Sequence, residues 1–308
     1  MDGKILDGLQ PFEYEHPWDQ EALTNLKNLA GLDTIVKKIN QYGVETALRA
    51  QYTGSSIKVT NKNFPKLHEQ FLTACNILGV FPIPGLYVQW GYEINAFTAG
   101  VERPILVLNS GIIDLLTDDE ISFIIGHELG HIKSLHVLYH QLAVIFPYIG
   151  DILGQATLGL GHAVSIGIEL ALLKWSRMSE FTADRAGLLT CQNFNAACST
   201  FIKMSGVPSK YYDTIDIAAF LEQAKEFADY DRNLLDSLVK KLINLRNDHP
   251  WTVLRAAEMN KWCEEGNYLA VLNRQYKECI FCCPYCRHPL PATSNFCSNC
   301  GNKIVIQN

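Results

Sequence analysis

The chain is poor in positive charge. Its 308 residues carry 26 Lys and Arg against 32 Asp and Glu, a formal charge of -6, which gives no electrostatic basis for binding nucleic acid or anionic membrane surfaces. The first residues, Met1-Asp2-Gly3-Lys4-Ile5-Leu6-Asp7, lack a basic segment followed by a long apolar one, so no secretory signal is expected. Long hydrophobic runs are missing too. The uncharged stretches 134–150 and 152–168 fall short of the roughly 18–20 apolar residues that span a bilayer. His136, His140, Gln141, Pro147, Gln155 and His162 interrupt them, and Asp151 separates them. Two buried helices are expected there, in preference to a membrane-associated hairpin. The default setting is cytoplasmic, with membrane-peripheral attachment as the variant. Scattered cysteine is scarce: of ten, only Cys75, Cys191, Cys198 and Cys263 lie outside residues 279–308, as reduced, buried thiols do.

Against these absences stands one strong local pattern, His127-Glu128-Leu129-Gly130-His131, inside an apolar helical repeat of Ile121, Phe123, Ile124, Ile125, Leu129 and Ile132. Residues four apart share a helix face, so His127 and His131 can offer imidazole nitrogens to one metal ion. Glu128, one step round, can reach a water on that metal without being a ligand. Thr117-Asp118-Asp119-Glu120 reads as a capping box that starts the helix. Gly126 and Gly130 each cost about 1 kcal/mol in a helix interior, and their spacing suggests that another element passes close against that face. The plain alternative is a buried amphipathic helix that happens to hold two histidines.

A catalytic zinc wants three protein ligands and an open fourth position. The helix does not continue into x-x-Gly-x-x-His, because Ser134 and Val137 occupy those positions. A glutamate from a second helix is the other common solution, and the candidates are Glu169 and Glu180, with His136 and His140 as rivals. Glu180 is preferred, because Asp184 lies one turn beyond it on the same face and can accept a hydrogen bond from a ligand histidine. A solvated charged face remains the alternative for that pair.

Residues 1–60 show helical spacing at Leu23, Leu26, Leu29 and Ala30 and again at Ile35, Val36 and Ile39, and His16-Pro17-Trp18 reads as a surface turn. A helix is expected from Phe64 to Leu78, ending at Gly79. Three β runs follow, Leu86–Trp90, Ile94–Thr98 and Ile105–Leu108, forming a small antiparallel sheet before the histidine helix. The run at Asn95-Ala96-Phe97 is either an edge that pairs with extended substrate or plain scaffold. Residues 207–262 read as mainly helical, with Leu234, Leu235, Leu238, Val239, Leu242 and Leu245 at core-like spacing.

The ordered set His127-Glu128-Leu129-Gly130-His131, then Ser176-Arg177-Met178-Ser179-Glu180-Phe181-Thr182-Ala183-Asp184-Arg185-Ala186-Gly187, with Asn95-Ala96-Phe97 upstream and Asp248-His249-Pro250-Trp251-Thr252-Val253-Leu254-Arg255 downstream, resembles the HtpX-like and CAAX prenyl protease family of zinc metallopeptidases. The resemblance covers roughly residues 64–262. It implies zinc held by His127, His131 and Glu180, with Glu128 as general base and acid. It also implies His249 as stabiliser of the oxyanion, Arg255 as support for that region, and Asn95-Ala96-Phe97 as the substrate-side strand. The membrane members have spanning helices, which are not evident here.

At the C-terminus, Cys283-Pro284-Tyr285-Cys286 and Cys297-Ser298-Asn299-Cys300-Gly301 form two zinc knuckles, a zinc ribbon whose four thiolates close a structural metal site. Cys279 and Cys282 offer a second register, and a redox pair is the weaker rival. The expectation is therefore an α+β chain: an N-terminal helical segment over 1–63, a mainly helical, zincin-like metallopeptidase domain over 64–276 and a zinc ribbon over 277–308. Two zinc ions are expected, one catalytic and one structural. The expected partners are a polypeptide substrate and a protein docking through the ribbon. A peptide- or partner-binding module and a latent protease regulated through the ribbon are the alternatives, and the presence of Glu128 favours the enzyme.

Overall fold

The computed structural model describes residues 3–29, 32, 44–156, 160–229, 250–275, 281–282 and 289–290. Two helices form its spine. Helix α5 (Asp118–Lys133) carries the histidine pair, and the longer α7 (Leu160–Cys191) packs along it. The start of α5 follows its sequence: the Thr117 hydroxyl accepts from the Glu120 N–H at 3.5 Å, and the Glu120 carboxylate accepts from the Thr117 N–H at 2.7 Å. The two glycines of α5 are there for α7. A Cβ on Gly126 would collide with the Thr190 side chain, and one on Gly130 would stand 2.6 Å from Ala186 Cβ. Gly187 returns the favour, passing under the Phe123 ring.

Around this pair, α3 (Pro65–Leu78), α8 (Phe194–Met204) and α10 (Thr252–Glu264) close one continuous core, in which Phe71, Leu78, Phe123, Ile125, Leu189, Phe201 and Trp262 are buried. Leu6, Leu9 and Tyr14 from the N-terminal residues belong to that core. Helix α3 stops where expected, with Gly79 left-handed at φ 63°.

Helix α1 (Pro17–Lys27) lies across α7, and its Ala22, Leu23 and Leu26 bury against Leu142 and Phe146 of α6 (Val137–Ala156) and against Leu172 and Trp175 of α7. His16-Pro17-Trp18 is thus a helix start and not a turn, with His16 buried while Pro17 and Trp18 stay at the surface. His16 caps α1, and its backbone N–H donates to the Thr182 hydroxyl at 3.0 Å. Two helices, α6 and α7, carry this stretch, and where their side chains are described Leu142, Phe146, Ile168 and Leu172 are buried while Val144, Ile166 and Leu170 face outward. Among the described residues no helix is long and apolar enough to cross a membrane.

The sheet differs from expectation. Strands β1 (Ile57–Lys58), β2 (Gly85–Gln89), β3 (Ala96–Ala99) and β4 (Ile105–Asn109) lie in the order β1-β2-β4-β3, and β2 pairs with β4 in parallel, Leu86 opposite Leu106. The sheet is mixed, not antiparallel. The cause is β4, whose Ile105-Leu106-Val107-Leu108 run has no polar face, so all of it is buried and it takes an inner position. That pushes β3 to the edge, antiparallel to β4 with Phe97 opposite Val107. The stripe Leu234–Leu245 and the run Ile35–Ile39 lie outside the described residues, as do His249, Cys283, Cys286, Cys297 and Cys300. Within this part of the chain, β5 (Phe281–Cys282) pairs antiparallel with β6 (Pro289–Leu290).

One buried ion pair locks α5 to α8: Lys203 Nζ donates to Glu120 Oε2 at 2.7 Å, and the Ser199 hydroxyl donates to Oε1 at 2.6 Å. Burial resists ionisation of Glu120, but the bonds from Lys203, Ser199 and the Thr117 backbone outweigh it and hold its pKa below the usual glutamate range. Glu120→Ala strands a buried ammonium and should cost about 3–5 kcal/mol in urea denaturation at neutral pH. Because the folded pKa is depressed, the carboxylate's contribution is complete above the unfolded glutamate pKa. It fades as pH falls through the lower folded value, so the gap between wild type and variant should close in acid.

Candidate metal centre

Helix spacing places the His127 and His131 rings on one face of α5, and their Nε2 atoms stand 3.2 Å apart. Glu180, near the middle of α7, faces them both. Its Oε2 is 3.4 Å from His127 Nε2 and its Oε1 is 3.3 Å from His131 Nε2. All three side chains are buried. The glycine contacts at Gly126 and Gly130 set this separation, because they fix how near the two helix axes run. Glu169, the rival carboxylate, is not in the cluster. His140 is engaged elsewhere, with its nitrogens 2.9 Å from the Ser179 hydroxyl and 3.2 Å from that of Ser176.

The surroundings complete the electrostatics. Asp184 Oδ1 lies 3.0 Å from His127 Nδ1, so in the neutral ring the proton sits on Nδ1 and the Nε2 lone pair points at Glu180 and His131. Arg255, reaching in from α10, grips Asp184 with two donors, Nε to Oδ2 at 2.8 Å and Nη2 to Oδ1 at 2.5 Å, and its Nη2 lies 3.6 Å from Glu180 Oε2. Burial opposes ionisation of Asp184, but Arg255 outweighs it and holds the carboxyl well below its ordinary range. Burial likewise opposes charging of His127, yet the Glu180 and Asp184 carboxylates prevail and lift its pKa to about 10. The pocket therefore favours positive charge. Counting Glu128, three buried carboxylates face one guanidinium, a surplus of negative charge that suits a divalent cation.

The donor set fits zinc: two imidazole nitrogens and a carboxylate, converging within 4.8 Å of one another. Glu128 sits beside them, turned toward β3, where the Thr98 hydroxyl donates to its Oε2 at 2.8 Å. Thr98 had no signal in the sequence as a functional residue, since its role depends on β3 lying against α5. Two depressions meet at this point. One is lined by Tyr52, Phe97, Ala99, Val137 and Val144, the other by Tyr92, Asn95, Lys203, Tyr212 and Arg255, and both reach His127, Glu128, Glu180 and Ala96. Asn95, Ala96 and Phe97 thus border the cleft at the sheet's edge, with Asn95 just before β3.

Comparison with known proteins agrees with this geometry. The model of peptidase family M48 matches residues 61–263. The chain is 29% identical to the plastoglobule-localized metallopeptidase 48, chloroplastic, of Arabidopsis thaliana over 273 residues, 88% of this chain and 78% of the relative. It is 28% identical over 178 residues to Protease HtpX homolog 2 of Methanosarcina acetivorans, 50% of this chain and 60% of the relative. With a Protease HtpX homolog of Sulfurovum sp. it shares 39% identity over 64 residues, 20% of this chain and 23% of the relative. The chain thus covers less than two thirds of either HtpX homolog. No solved structure matches. With the family model running from before α3 through α10, across every helix that lends a side chain to the cluster of His127, His131 and Glu180, the chain belongs to peptidase family M48 and is a zinc metalloprotease.

Proposed function

We propose that the chain is a zincin-like endopeptidase that cleaves unfolded or damaged polypeptides in the cytoplasm, with zinc held by His127, His131 and Glu180. The observation that carries this is the meeting of two imidazole Nε2 atoms and a buried carboxylate next to Glu128, at the junction of two depressions under a sheet edge. When bound there, zinc would acidify water and polarise the scissile carbonyl. Glu128, its Oε2 held by Thr98, takes the proton of the attacking water and passes it to the leaving amine. Arg255 and Asp184 keep Glu180 and His127 in place. Strand β3, the last strand on its side of the sheet, lends main-chain groups of Asn95, Ala96 and Phe97 to an extended substrate, which favours chains without fixed structure. His249 is assigned the oxyanion from the sequence pattern that ends in Arg255, and the position of Arg255 inside the site supports that assignment.

The second zinc belongs to Cys283, Cys286, Cys297 and Cys300, a closed structural site on a ribbon that offers a docking surface for a protein partner. A reducing compartment suits the free thiols Cys75, Cys191 and Cys198, whose burial pushes their pKa values up to about 12 and keeps them inert.

Glu128→Gln should keep its zinc and lose about 100- to 10,000-fold in casein hydrolysis; undiminished cleavage would overturn the assignment. Metal analysis of the full-length chain should give two zinc ions, falling to one in Glu180→Ala. For His249→Ala the expected result is a turnover lowered by about 100- to 1,000-fold at unchanged zinc content, and equal loss of both would make it a structural residue instead.

A further inference from the structure

The hydrogen bonds behind His131 run on into the N-terminal helix. His131 Nδ1 lies 3.0 Å from His136 Nδ1, and His136 Nε2 lies 3.0 Å from Asp19 Oδ2. Two facing imidazole nitrogens can share only one proton, so one ring must donate and the other accept. Asp19 decides which. Its carboxylate, wholly buried, has acceptor oxygens only, and they also receive the Trp175 Nε1–H at 2.9 Å and the Thr182 hydroxyl at 2.7 Å. His136 therefore donates through Nε2 to Asp19 and accepts at Nδ1, which puts the His131 proton on Nδ1. The His131 Nε2 lone pair is then left facing Glu180 Oε1 and His127 Nε2.

We propose that Asp19 and His136 form a positioning relay that fixes the tautomer and tilt of His131 as a metal ligand, an inference that rests on the zinc reading above. The backbone is shaped for it. Helix α5 ends at Lys133, Leu135 adopts a left-handed φ of 57°, and the chain doubles back so that the His136 N–H donates to the His131 carbonyl at 2.9 Å. That turn brings the His136 ring under the ring of His131, with centroids 5.2 Å apart, and against Trp175 at 5.5 Å. Both nitrogens of His136 have partners, Nδ1 on His131 and Nε2 on Asp19, which favours a supporting role over that of a ligand. The two histidines of the site are thus set by different devices, His127 by Asp184 directly and His131 by Asp19 through an intervening imidazole. The distant carboxylate comes from residues outside the 61–263 family match, so the N-terminal segment completes the metal centre.

The test is zinc affinity of the full-length protein by chelator competition, with the absorption spectrum of the cobalt-substituted protein as a second readout. Glu180→Ala identifies the signal that belongs to this site; if it leaves that signal intact, the zinc reading itself fails. Asp19→Asn turns an amide N–H toward His136, reverses both tautomers and places a proton on His131 Nε2. It should weaken zinc binding by about 10- to 100-fold and shift the cobalt bands. His136→Asn carries a carbonyl that accepts from His131 Nδ1 whatever stands at position 19, so adding it to Asp19→Asn should restore affinity to within about threefold of wild type. Should Asp19→Asn fail to fold, His136→Phe, which keeps a ring but removes both nitrogens, should show the same loss. A loss below about fivefold in the folded variant, or a double variant no better than Asp19→Asn, overturns the relay while leaving the zinc reading in place.

Discussion

The close passage of α7 against α5 is the constraint on which the rest depends. Gly126, Gly130 and Gly187 let the two backbones approach until Thr190, Ala186 and the Phe123 ring fill the seam, with no space for further Cβ atoms. Helix glycine is unfavourable by local propensity, and here the cost is borne because a carboxylate on one helix must meet imidazoles on the other. A wider separation would leave Glu180 out of reach of both rings, and Asp184, one turn on, out of reach of His127.

Around this seam the polar groups are arranged so that none of the key ones stands alone. Two acidic side chains, Glu180 and Asp184, are buried within a few ångströms of Arg255, an arrangement that would be costly if any member were unmatched. The same logic recurs at Glu120 and Lys203, where an ion pair and a capping box share one carboxylate, so the start of α5 and its docking to α8 are a single cooperative feature.

Much of this was legible in the chain. The helix start at Thr117, the shared face of His127 and His131, the close neighbour implied by Gly126 and Gly130, and the pairing of Glu180 with Asp184 are all short-range regularities, and local spacing reveals them. What was not legible depends on distant packing. The parallel pairing of β2 with β4 follows from β4 being buried on both faces, which its unbroken apolar run hints at but strand counting misses. Asp19 and His16 sit beside Pro17 in a segment that reads as a turn, and only the docking of α1 on α7 turns them inward. His136 was visible as a nitrogen donor near His127 and His131, but its orientation depends on the left-handed residue at Leu135.

Strand β3 ends its side of the sheet with Glu128 tethered to Thr98, so under the proposed function recognition and chemistry would share a single four-residue ribbon. A guest that threads there would be read by its peptide amides, which every protein possesses, and not by any signature of residues. Discrimination would then become a question of mechanics: a compact domain cannot spare a stretched stretch of backbone, whereas one that has lost its architecture can, and so the degree of unravelling itself would become the selecting property.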